Sequence, residues 1–156
     1  MEESALDAWY LWIGVSLASI AVLGVVAGLP TATGPDAVAV AEAVDAVASS
    51  DQQATTRVRL RADRIRLGPY RVALRSSGGG TAHATFAYGP VTPTRGRPGL
   101  RGVLAGRPPD TVFRSRSAFA TAVRRARSDG RAWRRAPAEL TVRRVVWGDV
   151  DVTLVG

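Results

Sequence analysis

The apolar positions of this chain follow three successive patterns. From Ala8 to Leu29 no residue is charged, a run of 22 in which Ser16 and Ser19 are the small polar positions. Beyond Pro35 the apolar residues recur at helical spacing, with Val40, Val44 and Val47 on one face and Glu42 and Asp45 away from it. From Thr55 the period falls to two. Val58 and Leu60 alternate with Arg57, Arg59 and Arg61, and Ile65, Leu67, Val72 and Leu74 repeat that alternation.

Each pattern predicts an element. At about 1.5 Å per residue the uncharged run reaches roughly 33 Å, matching a hydrocarbon core of about 30 Å. It predicts a transmembrane helix over residues 8–29, following an acidic tail at 1–7, with Trp9, Tyr10 and Trp12 as interfacial aromatics. Pro30 ends that helix and residues 30–34 form a break. An amphipathic helix then covers 35–50, with Pro35 suited to its first turn and Asp36 placed near its positive end.

Residues 54–156 read as a strand-rich domain. SSGGG at 76–80 is a turn between YRVALR and THATFAY, so a hairpin is expected across 70–88. Five of the nine prolines fall in 89–110, which predicts a long ordered loop with a turn of helix around Leu100–Leu104. Ser115 or Ser117 can cap a helix over about 115–128 that buries Phe119, Val123 and Ala126. LTVRRVVW and VDVTLV flank Gly148-Asp149, a two-residue hairpin turn. The fold class expected is therefore α+β: an N-terminal transmembrane helix, a short amphipathic helix, then a small antiparallel β-sheet domain with one late helix.

A cleaved signal fits the N-terminus poorly, because Glu2, Glu3 and Asp7 stand where a signal is basic and the apolar run is too long. The positive-inside rule gives no orientation, since no Lys or Arg precedes Arg57. Gly14 with Ala18, and Gly24 with Gly28, repeat small residues at four-residue spacing, which lets a second membrane helix approach closely.

Charge is sharply divided. All 21 basic residues are Arg, between Arg57 and Arg144, in a chain of net charge +8. Eight lie in FRSRSAFATAVRRARSDGRAWRRAP, residues 113–137. Of these Arg124, Arg125, Arg127, Arg131, Arg134 and Arg135 are the candidate anion contacts, because guanidinium forks match phosphate oxygens in pairs. A solvated helix face explains the same pattern, and Trp133 alone interleaves as an aromatic, which disfavours nucleic acid.

Other chemistry is sparse. There is no Cys, and His83 has no nearby carboxylate pair, so no metal site, catalytic residue or cofactor is predicted. SSGGGT lacks the Lys-Ser/Thr of a phosphate-binding loop, and Asp149 with Asp151 suits a structural use.

DAWYLWIGVSLAS, RLGPYRVALR with GTAHATFAYGPVTP, and LTVRRVVWGDVDVTLVG resemble an uncharacterised family of haloarchaeal membrane proteins. Such proteins are similar to small pilin-like components of archaeal type IV pilus or secretion machinery. Glu2 and Glu3 stand where a pilin leader is basic. The basic domain departs from acidic haloarchaeal surfaces, although multimolar salt shortens the Debye length to below about 3 Å. The resemblance implies a non-enzymatic structural or assembly protein of the cell membrane, with its C-terminal domain extracytoplasmic. Its expected partners are the lipid bilayer and other membrane helices or pilin-like subunits. The alternative is a cytoplasm-facing domain that binds nucleic acid or anionic lipid through the Arg-rich helix.

Overall fold

A computed structural model describes residues 35–129 and 132–156. The first element is α1 (Ala37–Ala48), whose N-terminus is closed by the Asp36 carboxylate accepting the Ala39 amide at 2.9 Å. Ala37, Val40, Ala41, Val44 and Val47 form its buried stripe. Pro35 precedes the cap and so lies outside the first turn.

Eight strands follow: β1 (Thr55–Arg59), β2 (Arg64–Leu67), β3 (Arg71–Arg75), β4 (Thr81–Thr85), β5 (Val91–Pro93), β6 (Arg134–Arg135), β7 (Glu139–Trp147) and β8 (Val150–Val155). Between β5 and β6 lie α2 (Pro98–Leu104), α3 (Pro109–Val112) and α4 (Arg116–Ser128). The strands make two four-stranded sheets, ordered β1-β7-β8-β5 and β4-β3-β2-β6.

The β7–β8 hairpin is the spine of the first sheet, and its alternation supplies two cores. Leu140 and Val142 of β7, with Val155 of β8, face α1 and the inner side of the second sheet, where Ile65, Leu67, Val72 and Leu74 complete one core. Val145, paired with Val152, faces the other way with Leu154. There Leu100, Val103 and Leu104 of α2 and Phe119, Val123 and Ala126 of α4 cover them. Phe119 is fully buried, its ring centroid 5.2 Å from that of Phe113 and 6.0 Å from that of Trp147.

The expected fold class requires correction. Two sheets replace one, and β5 pairs parallel with β8 inside an otherwise antiparallel sheet. Three helices, not one, follow the first hairpins: the turn expected around Leu100–Leu104 belongs to α2, and α3 begins at the end of the Pro/Gly-rich stretch 89–110, which also holds β5. Pro98 and Pro109 sit in the first turns of α2 and α3, where a missing N–H does no harm. Among the described residues no helix is long and apolar enough to cross a membrane. The longest of them, α4, carries an arginine-rich face, and α1 spreads its apolar residues along one stripe. The transmembrane expectation for 8–29, the interfacial Trp9, Tyr10 and Trp12, and the packing residues Gly14, Ala18, Gly24 and Gly28 lie outside the described residues.

Candidate anion-binding cleft

The six arginines predicted as anion contacts are not brought together. Ser115 caps α4 by accepting the Ala118 amide at 3.2 Å, and Phe119, Val123 and Ala126 set its buried face. That phase leaves Arg124 and Arg125 in solvent and turns Arg127 inward. The Arg127 guanidinium donates to Thr92 Oγ1 at 2.9 Å and to the Pro90 carbonyl at 3.0 Å. Burial holds its pKa below the ordinary guanidinium value. Arg127 thus ties α4 to β5. Arg131 lies outside the described residues.

Arg134 and Arg135 form β6, the short edge strand paired with β2. Cross-strand partners lie on one face of a sheet. Arg134 lies opposite the buried Ile65 and is half-covered, whereas Arg135 lies opposite Arg64 on the outer face. That outer face also carries Arg66 and Arg75, whose guanidinium carbons stand 5.1 Å and 4.5 Å from the centroid of the Trp133 ring. His83, opposite Ala73, is exposed on the same face.

A cleft of about 580 Å³ opens where β6 meets the turn after β5. The turn is Thr94–Arg97, closed by the Arg97 amide on the Thr94 carbonyl at 3.1 Å, with Gly96 at φ +72°, where a side chain is disfavoured. It presents Arg95 at its tip. Arg101, from α2, and Arg134 and Arg135, from β6, are the other arginines that line the cleft. Thr94, itself buried, donates its hydroxyl to the Val155 carbonyl at 3.4 Å and fixes the turn to β8. Burial, and then the neighbouring charge of Arg95, lowers the pKa of Arg134. Among the described residues Arg95, Arg101, Arg134 and Arg135 have no ion pair. Asp129 lines an adjoining cavity with Arg95 and Arg134, but its carboxylate is held by Arg97.

Arg95 and Arg101 were outside the predicted contact set. They lie in the Pro/Gly-rich stretch, distant in sequence from Arg134, and come beside it only in the folded cleft. The other ionisable candidates have structural partners. Asp151 accepts from Arg144 at 3.0 and 2.5 Å, and Asp149 stands 3.7 Å from Arg116. No group of three His, Cys, Asp or Glu residues suited to a metal occurs among the described residues.

The model of a family of unknown function, DUF7283, matches residues 3–145. The chain belongs to this family. The match runs from the N-terminal segment into β7 and includes both sides of the arginine cleft. No curated protein and no solved structure matches the chain.

Proposed function

We propose that the chain is a non-enzymatic structural or assembly component held at the cell membrane by its N-terminal part, with the α+β domain extracytoplasmic. The observation that carries this reading is the use of the domain's acidic side chains. Six of its eight aspartates are engaged with backbone amides or arginines: Asp36, Asp45, Asp63, Asp129, Asp149 and Asp151. A carboxylate that acts as general acid or base must be free to reach substrate. These carboxylates instead fasten a helix start, a loop and the strand ends.

The order of an uncharged run, a helix packed into the core and then antiparallel strands supports a pilin-like organisation, with the lipid bilayer and similar subunits as partners. Contact with nucleic acid or lipid through α4 has less support, because Arg127 is committed to β5. The test is chemical cross-linking in intact cells followed by analysis of the membrane fraction. An assembly component gives discrete higher-mass species containing this chain. A chain recovered only as monomer contradicts the reading.

A further inference from the structure

We propose that the cleft between the Thr94–Arg97 turn and β6 binds a multiply charged oxyanion, a phosphate or diphosphate group, with Arg134 at its centre. The proposal is independent of the structural role above and assigns the domain a ligand. It rests on a comparison among the protein's own arginines. Six are half-buried among the described residues. Arg66 has the ring of Trp133, Arg97 has Asp129, and Arg144 has Asp151. Arg127 has the Pro90 carbonyl and Thr92, and Arg143 donates to the Val103 carbonyl at 2.8 Å. Arg134 alone has neither an acceptor nor a ring among the described residues, and the charge acting on it is that of Arg95, a second cation.

A guanidinium removed from water needs acceptors for its fixed fork of donors. Among the described residues none is bonded to Arg134, and Arg95, Arg101 and Arg135 line the same space. An anion bound in the cleft satisfies Arg134 and turns the repulsion between Arg95 and Arg134 into a shared attraction. A carboxylate offers one charge to four cations. Phosphate or diphosphate offers at least two charges and enough oxygens for more than one bidentate pair, which fits the lining better. Three of the four arginines are solvent-exposed, so the ligand enters from the surface and can be free or part of a lipid headgroup.

The test is calorimetric titration of the full-length chain in neutral detergent with inorganic pyrophosphate, at fixed salt. Saturable binding of one anion per chain is expected. Arg134→Met weakens it by at least about tenfold, the effect of removing a charged, bidentate partner. A control carrying Arg124→Gln and Arg125→Gln, both remote from the cleft, binds as the parent does. In phosphate-free chloride buffer Arg134→Met keeps or raises the melting temperature, because it removes a charge that has no acceptor among the described residues.

Absence of saturable binding, or equal weakening in the α4 control, overturns the site. So does a fall in melting temperature as large as that of Arg127→Met, which marks Arg134 as structural. Should Arg134→Met fail to fold, Arg101→Gln at the exposed side of the cleft takes its place; it weakens pyrophosphate if the site is real and leaves it unchanged if not. Soluble short-chain phosphatidic acid separates the sources. Tighter binding than pyrophosphate assigns a lipid headgroup, and weaker binding assigns a free phosphate compound.

Discussion

The Asp45 carboxylate accepts the backbone amide of Tyr88 at 3.0 Å, joining positions 43 residues apart. Its second oxygen accepts the Ala87 amide at the same distance. One side chain on α1 thereby fastens the segment that leaves β4, just beyond the buried Phe86. Charged acceptors make stronger bonds than neutral ones, and the amides they leave behind need water to replace them. Asp45→Ala is expected to lower stability by about 1–3 kcal/mol, read as a shift of the urea midpoint with unchanged slope. A midpoint within error of the parent would show that the clamp contributes nothing.

Arg127 and Arg124 lie three residues apart on α4 with opposite fates. Arg127 bridges to Pro90 and Thr92, whereas Arg124 is exposed and reaches only Thr121 on its own helix. Arg127→Met is expected to destabilise by about 1–3 kcal/mol, because it leaves the Pro90 carbonyl without its partner. Arg124→Met stays within about 0.5 kcal/mol of the parent. Equal effects in thermal unfolding would refute the assignment of Arg127 to the α4–β5 joint.

Gly148 occupies φ +64° in the β7–β8 turn, beside the Arg116 side chain. Gly148→Ala meets both the backbone preference and that side chain, and is expected to cost about 1–2 kcal/mol. Gly78, with open space around it and an ordinary φ, is the control. Gly78→Ala should be neutral or slightly stabilising in the same assay.

Asp151 titrates below the ordinary carboxylate value of 3.8, chiefly because Arg144 donates to it. The sign follows from linkage. A carboxylate more acidic in the folded state stabilises the fold above its unfolded pKa, and that contribution is lost as pH falls through the folded value. Stability below about pH 4 should therefore fall less steeply in Asp151→Asn than in the parent. NMR titration of the Asp151 carboxyl checks the direction, and a midpoint at or above 3.8 would contradict it.

Local periodicity carried much of the architecture. The stripe Val40, Val44 and Val47 marks the buried side of α1, and Phe119, Val123 and Ala126 mark that of α4. Alternation around Val72, Leu74 and Gly148-Asp149 matches the two main hairpins, whose turns are short. What escaped was pairing at long range. β1 joins β7 across about eighty residues and β5 runs parallel to β8, so neither contact leaves a local period to read. Pro90 and Pro93 made 89–110 look like loop, yet β5 is an edge strand of the first sheet, where proline is tolerated.

The arginine cleft was hidden for the same reason. Charge density pointed to residues 113–137, Arg134 and Arg135 included, but burial decides which guanidinium lacks a partner, and burial depends on the sheet that β6 joins. Asp45 looked like a solvent-facing residue of an amphipathic helix. Its partners are backbone amides, which have no sequence signature.

The proposed role depends first on where the domain sits. The most direct measurement is protease accessibility of a C-terminal tag on intact cells, with lysed cells as control and membrane sedimentation in parallel. An extracytoplasmic, membrane-held component sediments with membranes and loses its tag on intact cells. Protection until lysis, or a chain that stays in the unsedimented fraction, would contradict the proposed function.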